Sequence, residues 1–127
     1  MTRSYPEFKL TVAIADFLKV AWPMTMLPVS HFPAGENRDA RTGAKLKAMG
    51  TAPGWPDFIV NLPGGRVGYI EVKADKGRLS PDQAAFRDAV VMNGARWALC
   101  RSVDEVQSTL NVWLDGSGIT LRGRITS

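Results

Sequence analysis

Apolar residues in the first twenty positions recur at helical spacing. Leu10, Ile14, Phe17 and Leu18 share one face of a helix predicted over residues 6–20. Pro6 suits its first turn, Glu7 suits the positive end of the helix dipole, and Trp22-Pro23 ends it. The period then changes. Residues 26–32 are apolar and partly β-branched, which predicts a strand, and Pro28 either argues against it or confines it to a sheet edge. Residues 33–54 are the least regular stretch, with a short helical turn predicted over 44–49. Two strand-like runs follow, 58–62 and 67–73, and Pro63-Gly64-Gly65-Arg66 between them predicts a hairpin.

Ser80-Pro81-Asp82-Gln83 combines an N-cap serine, proline at the first helical position and glutamine at N3, which is a capping box. Phe86, Ala89, Val90 and Asn93 define the inner side of the helix that follows, and Gly94 stops it. Residues 95–100 read as a strand. Ser102-Val103-Asp104-Glu105 reads as a second capping box, opening a helix through 114. Asp115-Gly116-Ser117-Gly118 is a turn, and 119–127 is either an added strand or a tail. A helix between the hairpin and strand 95–100 permits a parallel crossover. The expected fold is therefore α/β, a central mixed β-sheet flanked by helices. It forms one domain with its core over about residues 7–114 and an extension over 115–127. Trp97 and Trp113 are expected in its core.

Composition narrows the chemistry. The 127 residues suffice for one domain, and 45% hydrophobic with 22% charged content indicates a globular chain. The net charge of +4 favours a polyanionic partner. A single cysteine, Cys100, excludes an internal disulfide, and it either fits a reducing compartment or says nothing of location. No apolar run reaches the length of a membrane span, and no signal-peptide core opens the chain, so an intracellular location is expected. The single histidine, His31, excludes zinc sites built on several Cys or His ligands. Any metal site must be built from carboxylates and backbone oxygen, which suits magnesium or manganese.

One constellation supplies such oxygens. Asp57 follows Gly54-Trp55-Pro56, just before the first hairpin strand, and Glu71-Val72-Lys73 ends the second. Glu71 and Lys73 are two residues apart in a strand, so they share a face, and hairpin pairing would set Asp57 beside Glu71. Two carboxylates and an ammonium then meet on one small surface, an arrangement suited to a divalent cation and to hydrolysis. The spacing alone equally fits a solvated cross-strand Glu–Lys pair.

The wider run resembles the VRR-NUC branch of the PD-(D/E)xK nuclease superfamily. It comprises Gly54-Trp55-Pro56-Asp57-Phe58-Ile59, Tyr69-Ile70-Glu71-Val72-Lys73-Ala74, Gly77-Arg78-Leu79-Ser80-Pro81-Asp82-Gln83, Gly94-Ala95 and Arg101-Ser102. The resemblance implies a restriction-endonuclease-like core in which Asp57, Glu71 and the Val72 carbonyl hold Mg2+ or Mn2+. It implies that Lys73 orients or activates the attacking water, that Glu7 is a supplementary metal-site acid, and that Gln83 is a further polar catalytic residue. His31-Phe32-Pro33-Ala34-Gly35 is similar to a segment of stand-alone phage-type members, with Ala34 where relatives often carry asparagine. Those members imply a homodimeric, metal-dependent DNA endonuclease acting on branched DNA in the manner of a Holliday junction resolvase. Its location would be the cytoplasm of a bacterial cell or phage-infected host. The alternatives are an inactive DNA-binding accessory module of the same fold and a nuclease acting on unbranched DNA or RNA.

Several residues carry two readings. Glu7 is either a metal-site acid or a dipole-favoured first-turn acid. Gln83 is a catalytic residue, a cap, or both. His31 is a phosphate contact or a structural residue. Arg38, Arg41, Lys45 and Lys47 either track a phosphate backbone or form a solvated face, and Lys76 and Arg78 flank the motif where a reacting phosphate would sit. Trp55, beside Asp57, either stacks on a base or packs internally.

Overall fold

A computed structural model describes residues 5–33 and 40–122. Helix α1 spans Tyr5–Ala21 and buries Thr11, Ile14, Phe17, Leu18 and Ala21 along one stripe. The chain turns sharply at Trp22-Pro23. The buried Trp22 indole Nε1–H donates to the Leu27 carbonyl at 2.6 Å, which satisfies the ring's only polar group. Strand β1 covers only Val29–His31, shorter than the expected 26–32. The backbone N–H groups of Met26 and Leu27 both bond to Pro23, and Pro28 has no N–H to offer a ladder. Helix α2, Ala40–Ala48, is a full helix where a single turn is expected.

Strands β2, Phe58–Leu62, and β3, Arg66–Val72, pair antiparallel across a Pro63–Gly65 turn in which Gly64 and Gly65 have φ of 78° and 75°. Their register sets Phe58 against Ile70 and Leu62 against Arg66. Helix α3, Pro81–Met92, carries the chain over to β4, Arg96–Cys100, which pairs parallel with β3. Helix α4, Val103–Leu114, follows. The sheet order is β1-β2-β3-β4. The expected mixed sheet flanked by helices is what forms.

Period-2 alternation sends Phe58, Val60, Leu62, Ile70, Val72 and Cys100 to one face, where they meet α1 and the buried Val106, Leu110 and Leu114 of α4. Each such side chain contributes roughly 1.5–3 kcal/mol on burial, so this two-sided layer anchors the fold. The opposite face is thinner. None of the residues of α3 is fully buried. Ala89 and Asn93, expected on its inner side, are exposed, whereas Gln83, Phe86, Arg87 and Val90 are half-buried. Two contacts fix that rotation: Gln83 reaches Glu71, and the Arg87 guanidinium lies over Trp97 with 5.8 Å to the ring centroid. Trp97 and Trp113 are accordingly half-buried at the flanks of the core.

The second capping box forms only in part. Ser102 accepts from the Glu105 N–H at 3.1 Å, but the Glu105 carboxylate accepts from the N–H of Arg101, one residue before the cap. Residues 119–122 add no strand. Ile119 and Leu121 pack against the core, and the Arg122 N–H bonds to the Ala21 carbonyl. Residues 123–127 lie outside the described residues.

Candidate active site

The site forms where β3 ends and α3 begins. The β2–β3 register places Asp57 one step beyond the Phe58–Ile70 pair, next to Glu71. Asp57 is 3% exposed, and its Oδ2 accepts from the Val72 N–H at 2.7 Å. That bond satisfies a backbone donor at the strand end and fixes the carboxylate beside its neighbour. Glu71, 4% exposed, and Lys73, 8% exposed, project from the same side of the chain, and Lys73 Nζ lies 3.6 Å from Glu71 Oε2. The solvated Glu–Lys pair is thereby excluded, since all three side chains are buried.

The capping box of α3 takes part in the same cluster. Ser80 Oγ accepts from the Gln83 N–H at 3.1 Å, and Gln83 Oε1 accepts from the Ser80 N–H at 2.9 Å. The remaining amide group, Nε2, donates to Glu71 Oε2 at 3.1 Å. The two readings of Gln83 thus hold together: the cap locks the side chain and its free N–H orients the carboxylate.

Placement against Asp82 is close. A Cβ at Gly54, whose φ is +90°, would sit 2.4 Å from the Asp82 carbonyl oxygen. Only glycine lets the Gly54-Trp55-Pro56 segment lie against the start of α3. Trp55 then packs among Phe86, Phe32 and Tyr69 at centroid distances of 4.9, 5.5 and 6.2 Å, bracing the segment that delivers Asp57.

The electrostatics are unbalanced. Burial, and then the negative charge of Asp57, push the Glu71 carboxyl up to about 8. Lys73 opposes the rise, while a hydrogen bond to Asp57 and the field of Glu7 add to it. Two buried carboxylates share one ammonium, and a hard cation bound to their oxygens would restore the balance. Among the described residues, no three His, Cys, Asp or Glu side chains gather as a metal-holding group. Glu7, half-buried in the first turn of α1, stands within electrostatic reach of Glu71 without completing such a trio. Two carboxylates, a backbone carbonyl such as that of Val72, and water are the oxygen donors that fit a magnesium-like ion.

The remaining candidates spread outward. Lys76 and Arg78 are exposed on the loop between β3 and α3, and Arg41, Lys45 and Lys47 are exposed on α2. Arg38, like Ala34 and Gly35, lies outside the described residues. His31 sits half-buried on β1, edge-on to Phe58 with centroids 5.4 Å apart, and lines a cavity of about 310 Å³ with Lys19 and Ser30. Arg101 has no site role in the sequence reading beyond its place in the matching run. The structure brings it to this cluster through the parallel pairing of β3 with β4, which spacing along the chain does not reveal.

A family model for the VRR-NUC domain matches residues 20–104. The chain belongs to the VRR-NUC domain family. Membership brings a nuclease-type function and implies DNA as the substrate. Glu7 lies before the matched stretch, whereas Asp57, Glu71, Lys73 and Gln83 lie within it. A solved structure described as a VRR_NUC domain protein superposes with a TM-score of 0.70 at 21% identity, covering 88% of this chain and 90% of its own. A second, described as a VRR_NUC domain, gives 0.55 at 17% identity over 85% and 97%. Both support the fold. No curated protein matches the chain. None of the helices among the described residues is long and apolar enough to cross a membrane.

Proposed function

We propose that this VRR-NUC domain is a divalent-metal-dependent DNA endonuclease that acts on branched DNA as a homodimer in the cytoplasm. The observation that carries the reading is the buried pair Asp57–Glu71 set beneath the Lys73 ammonium, with 3.6 Å between Lys73 Nζ and Glu71 Oε2. Such a cluster is costly to bury, and the one backbone N–H that Asp57 satisfies does not account for setting Glu71 and Lys73 beside it. Asp57, Glu71 and the Val72 carbonyl would hold Mg2+ or Mn2+, with Glu7 as a supplementary acid. When bound, the ion supplies Lewis-acid polarisation of the scissile phosphate and acidifies a water.

The side chains have distinct tasks in phosphodiester hydrolysis. Lys73 places positive charge where the attacking water loses its proton and where negative charge builds on the phosphate oxygens. Gln83 holds Glu71 in one orientation through its donated N–H. The exposed Lys76 and Arg78 flank the site on the loop that follows Lys73, where they would neutralise neighbouring phosphates. Arg41, Lys45 and Lys47 on α2 offer a further basic face, and His31 a contact at the sheet edge. Two-fold symmetry would give a branched substrate two sites for paired incisions.

The test is cleavage of labelled four-way junction, flap, duplex and single-stranded DNA with manganese, alongside Lys73→Ala and a light-scattering mass. Symmetric junction cuts by a dimer, lost in the variant, would support the full reading. Cutting of other forms would keep the chemistry and replace the substrate. Tight binding without any cutting would mark the chain as an accessory module.

A further inference from the structure

We infer that Arg101 is a positioning residue for this site, clamping the loop that closes over Lys73 and carries Lys76 and Arg78. Its consequence for cleavage rests on the nuclease reading above, whereas the clamp itself can be tested without cleavage.

The geometry begins with the sheet. The Lys73 N–H donates to the Cys100 carbonyl at 3.2 Å, extending the parallel β3–β4 pair by one bond. Arg101 therefore leaves β4 alongside Lys73, although 28 positions separate them in the sequence. From there its guanidinium Nη1 donates to the Asp75 carbonyl at 2.6 Å. Asp75 has φ of 47°, in the left-handed region, which aspartate enters more readily than most residues but which a neighbouring contact still helps to hold. The charge-assisted bond from Arg101 is such a support, applied at the residue's own carbonyl.

The turn held in this way rests on the Lys73 side chain. The Gly77 N–H donates to the Ala74 carbonyl at 2.9 Å and closes the turn. A Cβ at Gly77 would lie 3.1 Å from the Ala74 oxygen and 3.4 Å from both Cβ and Cδ of Lys73, so the backbone of the turn lies against the lysine stem. The Lys73 side chain is 11% exposed.

Arg101 is itself anchored. Its N–H donates to Glu105 Oε1 at 2.7 Å, and Glu105 belongs to the first turn of α4. That helix buries Val106, Leu110 and Leu114 in the core. A path of direct contacts thus runs from the rigid core through Glu105 and Arg101 to Asp75 and the turn over Lys73. This accounts for the partial capping box: Glu105 holds the residue that serves the site, not the cap. The planar fork of arginine reaches a fixed carbonyl in a way a flexible lysine does not reproduce.

The competing role for an exposed arginine here is a direct phosphate contact, and the experiment separates the two. The metal-free, full-length protein and its Arg101→Ala and Arg101→Lys variants are treated with an amine-acylating reagent, and labelling of each lysine is followed by mass spectrometry. Lys9 and Lys45, both exposed, serve as internal references. The clamp predicts faster labelling of Lys73 in Arg101→Ala, partial recovery in Arg101→Lys, and unchanged references. Should Arg101→Ala fail to fold, Arg101→Gln removes the guanidinium while keeping a polar side chain and should expose Lys73 likewise. In single-turnover cleavage, positioning predicts a rate at saturating DNA lower by about tenfold or more, with affinity and salt dependence retained. Unchanged Lys73 labelling overturns the clamp. So does a loss confined to affinity, with the salt slope reduced by about one phosphate contact. A wild-type protein that cleaves nothing would defeat the nuclease reading, and the labelling comparison would still decide the clamp.

Discussion

The Glu71 carboxyl should make the metal-free protein less stable as pH rises. In the folded chain burial and the adjacent Asp57 push it from 4.5 to about 8. Between those values the unfolded chain has released the proton and the folded chain still binds it. Stability is therefore present in full below the lower value, falls through the window, and is fully lost above the upper one. At ~1.4 kcal/mol per pH unit the interval corresponds to roughly 5 kcal/mol for Glu71. That is a large part of the 5–15 kcal/mol that holds a small domain folded, and it should lower the melting temperature by about 10 °C or more. The assay is calorimetry of chelator-treated protein from about pH 5 to about pH 9, beside Glu71→Gln, which cannot ionise. Titrating groups that do not interact with Glu71 are common to both proteins and cancel. The variant should show a flatter profile and exceed the wild type at the alkaline end. Manganese should restore the wild type there and stabilise the variant less, because the variant keeps Asp57 but has lost one of the two carboxylates that would hold the ion. Parallel profiles for the two proteins would refute the reasoning.

Three further substitutions test the construction of the site. Asp57→Asn keeps an oxygen for the Val72 N–H and should fold within about 1 kcal/mol of wild type while losing cleavage, whereas Asp57→Ala strands that N–H at roughly 1–3 kcal/mol, as urea titration would show. Gln83→Glu keeps the acceptor for the Ser80 N–H but removes the N–H given to Glu71 and adds a negative charge beside two buried carboxylates, so melting should fall and cleavage be lost; wild-type melting and activity in Gln83→Glu would remove the Glu71 contact from the mechanism. Gly54→Ala forces a Cβ within 2.4 Å of the Asp82 carbonyl at positive φ and should cost about 2–4 kcal/mol by denaturant titration, and an unchanged midpoint would show that the loop relaxes freely.

The strongly periodic parts of the chain were legible because one physical rule governs each. Leu10, Ile14, Phe17 and Leu18 announced α1, the alternation of Phe58, Val60 and Leu62 announced β2, and Ser80 with Gln83 announced the start of α3. The core of the site was legible too, since alternation puts Glu71 and Lys73 on one side and a hairpin brings Asp57 to them. What could not be read was set by tertiary contact. Ala89 has the spacing of an inward residue, yet the rotation of α3 follows Gln83 on Glu71 and Arg87 on Trp97, which pair residues on different elements. Glu105 has the spacing of a capping residue, yet the geometry after β4 offers it the Arg101 N–H instead.

Local motifs in this chain also act at a distance. Gln83 needs only one amide atom to complete its cap, which frees the other for Glu71. Asp57 pairs with the Val72 backbone through one oxygen and also hydrogen-bonds to Glu71. Glu105 secures the backbone of Arg101 and leaves its guanidinium for Asp75. For Gln83 and Asp57 a hydrogen bond to backbone fixes the rotamer, and the second polar contact is made with little further loss of side-chain entropy, whereas the Arg101 guanidinium is ordered by its own bond to Asp75. The arrangement explains why buried charge is tolerable here: the groups that hold Asp57 and Glu71 are the ends of β3 and α3 themselves, which the fold must satisfy whether or not the site reacts.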